Sequence, residues 1–149
     1  MTLAEQVGSL RRAIHRVINR RLSGRTRRPF QHLIAMKCIA HGEVRSQVDL
    51  ADRLGIDAPA VSRLVDRLVE DGLVTRQAGE NRRCVKLQTT ESVGPELELL
   101  GEAARAVDEE VSRHLTEAEL HELRRLLDKA LGALTQGPSA QERPLDEAG

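Results

Sequence analysis

The sequence predicts a mainly α-helical fold with one small β-hairpin. Six stretches carry apolar residues at the three- and four-residue spacing of amphipathic helices. Alternation of apolar and polar residues, which is typical of strands, is confined to residues 73–89. Glycines and prolines separate these stretches. With 40% hydrophobic residues in 149, the chain can form the core of one domain of ordinary size, or of a small domain with an extension for assembly.

The first two helices are predicted at residues 3–22 and 30–40. Apolar residues of the first recur on one side of the helix, and arginines lie on the other. The segment 23–29 breaks this helix. Pro29 suits the first turn of the second helix, which closes near Gly42.

A compact pair of short helices follows. Ser46 is a capping residue for the first, and Gly55 ends it in a position suited to a left-handed backbone. Asp57 caps the second, which runs to about Asp71 before Gly72 stops it. Two short helices joined by a turn that contains glycine form the helix-turn-helix pattern.

A β-hairpin is predicted after this pair. Residues 73–76 and 84–89 alternate as strands, and residues 77–81 have the composition of a hairpin tip. Thr90 then caps a long helix that runs to about His114.

The back of the chain is predicted to be helical and acidic. Residues 116–119 form a capping box for a final helix, whose leucines make a narrow apolar seam. Neither this seam nor the apolar side of the first helix has a partner in so small a domain. We therefore expect both to be buried against a second copy of the chain.

The net charge of zero hides an asymmetry. Residues 1–83 contain 16 Lys and Arg against nine Asp and Glu, and residues 84–149 contain seven against 14. A basic front half favours contact with a polyanion, although chance drift of charge along a helical protein gives the same counts. Phe30 is the only aromatic side chain, and single-strand binders stack bases on aromatic platforms. A duplex is therefore the favoured polyanion.

The sequence also predicts the compartment. No apolar run approaches the roughly 18 residues that cross a bilayer, and the N-terminus lacks the layout of a signal peptide. We therefore expect a cytoplasmic protein with no membrane partner. Cys38 and Cys84 do not have the paired spacing of a disulfide framework.

The second helix of the compact pair has the two faces that a recognition helix needs. Its valines and leucines gather on one side, and the other side presents polar residues and arginines. Because arginine can donate two hydrogen bonds to guanine in the major groove, we expect this side to read DNA. The alternative is a solvated face with an ordinary ion pair between Asp66 and Arg63. The candidate contact residues are Pro59, Ser62, Arg63, Asp66 and Arg67.

Two further groups of arginines are candidates for DNA contacts. Arg82 and Arg83 stand at the hairpin tip, and a narrow minor groove attracts such arginines. Arg27 and Arg28, between the first two helices, are expected to contact flanking phosphates, which adds salt dependence without sequence information. The alternative for this second pair is a soluble loop with no partner.

These elements together predict a winged helix-turn-helix domain with a helical dimerisation region. The expected organisation is an N-terminal dimerisation helix and loop at 1–28, a winged helix-turn-helix DNA-binding domain at 29–90, C-terminal dimerisation helices at 91–135 and a flexible tail at 136–149.

The run from Gln47 to Val74, QVDLADRLGIDAPAVSRLVDRLVEDGLV, resembles the MarR (multiple antibiotic resistance regulator) family of transcription regulators. The continuation from Asn81 to Thr90, NRRCVKLQTT, is similar to that family's wing and to the threonine that opens its next helix. The similarity extends over nearly the whole chain to about Leu134. It implies a homodimer that binds a pseudo-palindromic operator in double-stranded DNA and acts as a repressor released by a small-molecule effector.

The resemblance also implies roles for individual residues. The positions carried over are Ser62, Arg63 and Arg67 for the major groove, Ser46 and Gln47 for phosphates, and Arg83 for the minor groove. The wing is about one residue shorter than is usual in the family. Asn81 stands where family members commonly carry an aspartate that orients the arginines of the wing and the recognition helix.

Family members often respond to a small anionic or phenolic ligand in a pocket between the DNA-binding and dimer regions, and the resemblance implies such a pocket here. Its candidate contacts are His15 on the first helix and His32 and Met36 on the second, although such residues on a helix are more often core or surface residues. With a single phenylalanine the chain cannot form an aromatic cage, which argues against quaternary ammonium ligands.

Cys84 is the candidate for redox sensing. Arg82 and Arg83 precede it, and their positive charge would lower the pKa of its thiol. The alternative is a small strand residue with no redox role. Cys38 is expected to fill the core. Its spacing from His41 is ligand-like, but no third ligand is close in sequence, so we expect no metal and no cofactor.

The sequence contains no Gly-rich phosphate loop, nucleophile elbow or zinc-protease motif, so we do not expect an enzyme. The favoured function is a sequence-specific, homodimeric, DNA-binding transcriptional regulator. One alternative is a redox-responsive regulator acting through Cys84. Another is a winged-helix module that binds a protein and not DNA. The outward arginines argue against this alternative, because a protein-docking face is expected to be more apolar.

Overall fold

Six α-helices and one antiparallel β-hairpin make up residues 1–78 and 85–136, the part of the chain that the computed structural model describes. In chain order the elements are α1 (Leu3–Leu22), α2 (Phe30–Ala40), α3 (Gln47–Leu54), α4 (Ala58–Glu70), β1 (Val74–Ala78), β2 (Val85–Thr89), a single 3₁₀ turn (Glu91–Val93), α5 (Gly94–Ser112) and α6 (Glu117–Thr135). The predicted fold class, mainly helical with a small hairpin, is confirmed.

The helix ends follow local sequence signals. The Ser46 hydroxyl accepts a hydrogen bond from the backbone N–H of Asp49 at 3.2 Å, and the Asp57 carboxylate accepts one from the N–H of Ala60 at 2.8 Å. Each bond satisfies a backbone donor that the first helical turn leaves without an intrahelical partner. Gly55, with φ of 65°, ends α3 in the left-handed region that favours glycine.

Two helix starts differ from the sequence-based expectation. Thr90 makes no side-chain cap, and its hydroxyl donates instead to the carbonyl oxygen of Gly72 at 2.6 Å. The α-helix starts four residues later at Gly94, where Pro95 occupies the first turn and has no N–H to leave unpaired. Pro29 lies at the N-cap position, one residue before α2, and not inside its first turn.

The hairpin is longer than predicted on its first strand. β1 pairs with β2 from Val74 opposite Thr89 to Ala78 opposite Val85, so residues 77 and 78 belong to the strand and not to the tip. The backbone N–H of Leu87 donates to the carbonyl oxygen of Arg45 at 2.9 Å, which joins β2 to the segment before α3. Arg82, Arg83 and Cys84 lie outside the described residues.

The core lies between α2, α4 and the hairpin, with contributions from α1, α3 and α5. Cys38 is buried as predicted, and this burial raises the pKa of its thiol. The predicted apolar face of α4 is confirmed as the face that packs into the core. The side chains with no measurable exposure are Leu33, Ala35, Met36, Leu50, Val65 and Leu68.

The chain divides into two compact units, Met1–Val107 and Asp108–Gly149, and the structure describes the second as far as residue 136. This division lies within α5, because Leu100 and Ala103 of that helix are part of the hydrophobic core of the first unit. The expected boundary between a DNA-binding domain and dimerisation helices at residue 90 stays a prediction. In the second unit, Arg124 forms an ion pair with Asp108 at 3.3 Å.

Helix α6 has an apolar seam without a partner in the described residues. None of its 19 residues is buried, and Leu131 and Leu134 are 61% and 80% exposed. Exposed apolar residues also mark the first two turns of α1, at Leu3, Val7 and Leu10.

None of the helices within residues 1–78 and 85–136 combines the length and apolar content that crossing a membrane requires.

Candidate nucleic-acid interface

Helix α4 separates its apolar and polar residues between two faces. Val61, Leu64, Val65 and Leu68 are buried, and they fix the orientation of the helix on the domain. Four of the five predicted contact residues, Pro59, Arg63, Asp66 and Arg67, are exposed, and Ser62 is half-buried at the edge. A helix held by its apolar face, with arginines on the other, can be presented to a major groove.

The two arginines of α4 have different surroundings. Arg67 lies near its own C-terminal turn, with Nε 3.4 Å from a carboxylate oxygen of Asp71. Arg63 takes part in none of the ion pairs found within the described residues. The alternative expectation of an Asp66–Arg63 ion pair is therefore wrong. Within the described residues, none of the five guanidinium donors of Arg63 is used in an ion pair or a side-chain hydrogen bond, so these donors can serve a ligand.

Asp66 pairs instead with Arg76, a residue that the sequence analysis did not single out. Nη2 of Arg76 donates to Oδ1 of Asp66 at 2.5 Å, and Nε donates to Oε1 of Gln47 at 3.0 Å. One side chain on β1 thus joins α4 to the start of α3. The sequence did contain one signal for Arg76, because strand alternation from Val74 indicates the face of β1 on which Arg76 lies. Alternation does not identify the residue that Arg76 contacts.

The start of α3 carries the two residues expected to touch phosphates. The Ser46 hydroxyl accepts from the Asp49 N–H and can still donate its own hydrogen. The side-chain oxygen of Gln47 is occupied by Arg76, which leaves the Gln47 amide NH₂ as the group that can donate. Both side chains are half-buried and keep one donor each for an acceptor.

The arginines between α1 and α2 are not equivalent. Arg28 forms ion pairs with Asp71 at 2.7 Å and Glu96 at 3.4 Å, and thus fastens this loop to the end of α4 and the start of α5. The hydrogen bond from Arg28 lowers the pKa of Asp71. Arg27 is exposed and absent from the ion pairs of the described residues. These contacts favour a structural role for Arg28. Arg27 remains the candidate for a contact with a DNA phosphate.

The three candidate ligand contacts lie in different places. His15 packs edge to face against Phe30, with 4.2 Å between ring centroids, and lines a surface cavity of about 720 Å³. Met36 is completely buried in the core, and His32 is half-buried outside the residues that line this cavity. The lining residues are Arg11, His15, Pro29, Phe30, Gln31, Ile34, Asp52, Arg53, Leu54 and Gly55.

His32 is expected to make the stability of the fold dependent on pH. Its Nδ1 atom is buried without a hydrogen-bond partner in the described part of the chain. Burial, and secondarily the charge of Arg28, lowers the pKa of His32 below its ordinary value of 6.5. The unfolded chain therefore binds more protons than the folded chain between the two pKa values. Stability should be full above pH 6.5 and fall as the pH drops towards the folded-state pKa.

We expect the urea midpoint of the wild type to fall between pH 7.5 and pH 5.5, and that of His32→Leu to fall less. Leucine keeps an apolar group of similar size and removes the titration, and the other four histidines are shared by both proteins. Equal pH dependence in the two proteins would show that His32 does not contribute it.

Within residues 1–78 and 85–136, no group of three or more His, Cys, Asp or Glu side chains is arranged to hold a metal ion. The predicted roles of Arg82, Arg83 and Cys84 fall outside these residues and remain predictions.

Comparisons with known proteins show which proteins this chain resembles in sequence and fold. Residues 23–83 match the model of the MarR family. The apo form of MarR from E. coli is 27% identical, with a TM-score of 0.69, and the match covers 88% of this chain and 98% of that one. A structure of the multiple antibiotic resistance repressor MarR is 24% identical, with a TM-score of 0.73 and coverage of 88% and 96%. A solved transcriptional regulator is 24% identical, with a TM-score of 0.75 and coverage of 91% and 99%.

Proposed function

We propose that this chain is a homodimeric repressor of the MarR family that binds a pseudo-palindromic site in double-stranded DNA and is released by a small-molecule effector. Its fold is that of DNA-binding transcription regulators. The observation that carries the proposal is α4, whose apolar face is buried and whose Arg63 is exposed and outside the ion pairs of the described residues. Arg76 fixes this helix relative to β1, so that helix and wing approach DNA as one unit.

The dimer is supported by the apolar residues without partners in the described chain. The leucines of α6 and the first turns of α1 expose large apolar side chains at regular helical spacing. Each leucine that becomes fully buried contributes about 1.5–3 kcal/mol. A second copy of the chain would bury the exposed apolar residues of both helices. A two-fold dimer then presents two copies of α4 to two half-sites about one helical turn apart.

The cavity beside His15 is the proposed effector site. Arg11 supplies positive charge, and Phe30 and Ile34 supply apolar surface, which together suit an aromatic carboxylate. The other charges of the lining are Asp52 and Arg53, and Arg53 is paired with Glu43 at 2.9 Å, so Arg11 is the arginine expected to bind the carboxylate. Leu54 and Gly55 belong to the same wall, at the turn that leads into α4. A ligand that prefers one arrangement of this turn therefore shifts the population of α4 positions and with it the affinity for DNA.

The proposal is tested by selecting bound sequences from a random duplex library at two salt concentrations. A regulator of this kind enriches a pseudo-palindrome with half-sites about one helical turn apart. Weak, strongly salt-dependent binding without enrichment would contradict sequence-specific recognition and favour a protein as the partner.

Replacing Arg76 by alanine is expected to lower affinity for the selected operator by roughly 2- to 30-fold. An exposed ion pair contributes about 0.2–1 kcal/mol, and a dimer loses two of them. The freed Asp66 carboxylate also repels the phosphates. Fluorescence anisotropy with a labelled operator measures the change.

The double variant Arg76→Ala/Asp66→Asn separates two roles of Arg76. If the arginine acts by holding Asp66, removing the carboxylate charge restores part of the affinity. If the double variant binds no better than Arg76→Ala, the positioning role is wrong and Arg76 contacts DNA directly.

The effector site is tested with 2-hydroxybenzoate as the probe. We expect it to raise the melting temperature of the wild type and weaken operator binding, and we expect Arg11→Ala to remove both effects, because Arg11 supplies positive charge in the cavity. Arg21→Ala is the matched control, an exposed arginine of α1 that does not line the cavity. Equal responses of the two variants would contradict the assignment of this cavity.

A further inference from the structure

The positive charge of the front half does not lie on the winged helix-turn-helix segment. Residues 29–83 contain eight Lys and Arg and eight Asp and Glu, so their formal charges cancel. Residues 1–28 contain eight arginines and a single acidic residue, Glu5. The carboxylate of Glu5 is occupied as a helix cap, because it accepts a hydrogen bond from the backbone N–H of Thr2 at 2.7 Å. The surplus charge of the front half is therefore carried by α1 and the loop that follows it.

Three of these arginines form a row along α1. Arg12, Arg16 and Arg20 follow one another at four-residue spacing and are all exposed, and we call them the arginine row. Residues four apart lie on the same side of a helix, and like charges at this spacing repel one another. No ion pair within residues 1–78 and 85–136 involves them, although Nη2 of Arg12 donates to the Ser9 hydroxyl at 2.9 Å.

The arginine row lies on a side of α1 that faces away from both the core residues and the exposed apolar residues of this helix. Ile18 and Leu22 point into the core, and the exposed Leu3, Val7 and Leu10 lie on a face well separated from the row at 100° per residue. A second copy that covers these apolar residues leaves the arginine row accessible. Neither packing into the core nor cover of the exposed apolar residues by a second copy therefore relieves the repulsion among the three arginines.

The arginine row also lies next to the helix-turn-helix. Arg12 and Arg16 share a surface depression with Arg11 and His15. Arg11 and His15 in turn face the turn at residues 52–55 across the cavity described above. That turn leads directly to the N-terminal end of α4, the end of a recognition helix that reaches base edges.

We propose that the arginine row is a second DNA-contacting surface, which binds the phosphates that flank the sequence read by α4. The inference rests on the proposed function. The row places three guanidinium groups along about 12 Å of helix, and each can bind phosphate with two parallel hydrogen bonds. Its exposed polar neighbours on this side include Ser9 and Asn19. The apolar residues that share a depression with Arg16 and Arg20 are Ala13 and Val17, both half-buried, so the row lacks the large exposed apolar side chains that the centre of a protein interface needs. The segment at 29–83, neutral in formal charge, thus depends on α1 for most of its attraction to DNA.

The test compares the wild type with Arg12→Gln/Arg16→Gln/Arg20→Gln in the full chain. Two duplexes are used, one limited to the selected operator and one extended by flanking sequence on both sides. The slope of log K against log salt is measured for each, together with the selected sequence. Arg105→Gln/Arg113→Gln/Lys129→Gln removes the same charge elsewhere and serves as the matched control, and circular dichroism checks that the helices are retained.

On the extended duplex we expect the variant slope to be shallower by about 0.9 for each phosphate that the variant no longer binds. With six such phosphates per dimer, the wild type should lose about 10³-fold more affinity than the variant between 50 and 200 mM salt. The control triple should keep the wild-type slope, and all three proteins should select the same sequence.

Equal slopes for the wild type and the arginine-row variant on the extended duplex would overturn the inference. A wild type that selects no sequence would overturn the proposed function alone. If the wild type selects no sequence but its slope of log K against log salt is still steeper than that of the arginine-row variant on any duplex, the row is supported as a DNA-contacting surface.

Discussion

Replacement of Arg63 by alanine is expected to lower affinity for the selected operator by roughly 30-fold to 10⁴-fold. A bidentate contact between arginine and a base contributes about 1–3 kcal/mol of discrimination, and a dimer on a pseudo-palindrome makes it twice. Both arginines are exposed, and we expect Arg63 to have this role in preference to Arg67 because Arg63 takes part in no ion pair of the described residues, whereas Nε of Arg67 lies 3.4 Å from the carboxylate of Asp71.

The measurement is a titration of operator variants that differ at one base pair of each half-site. Arg63→Ala should bind all four base pairs at its contact position equally, while discrimination at the other positions is retained. Arg105→Ala, which removes an exposed arginine of α5, is the control and should bind as the wild type does. Uniform weakening at every position, with a shallower salt slope, would mean that Arg63 contacts phosphate and not a base.

Much of the fold could be predicted because its signals are local. A capping serine, a capping aspartate and a glycine with positive φ act within four residues of where they stand, and Ser46, Asp57 and Gly55 act as expected. The burial of one face of α4 follows from helical spacing alone. The predicted start of α5 differs from the observed start because two local signals compete in this segment. Thr90 can cap a helix, but Pro95 fits only its first turn, and the structure follows the proline.

The contacts within the site could not be predicted because they join distant parts of the chain. Arg28 binds Asp71 and Glu96, which are 43 and 68 residues away, and no spacing rule links them. Likewise, Asp66 binds Arg76 and not Arg63, because the direction in which β1 leaves α4 decides which arginine it meets. For exposed ionic residues the sequence predicts the face on which a side chain lies, while the partner depends on tertiary packing.

The expected dimer gives the second large effect. Replacing Leu127 and Leu131 by aspartate should convert the protein to a monomer at micromolar concentration. Both leucines lie in the apolar seam of α6, and neither is buried within the described chain. The dimer loses four leucines, each contributing about 1.5–3 kcal/mol when buried. Its dissociation constant should therefore rise by roughly four orders of magnitude or more. Light scattering on the purified proteins measures the change in mass.

The same variant separates dimerisation from DNA reading. The seam belongs to the unit that begins at Asp108, while α4 and Arg63 belong to the unit that ends at Val107. The monomer should therefore keep its affinity for an isolated half-site and lose the gain that a second, linked half-site provides. Lys129→Asp is the control, since it adds an acid on the opposite side of α6 and should leave the dimer intact. A double-aspartate variant that remains dimeric would show that α6 does not hold the two copies together. The exposed leucines would then need another partner.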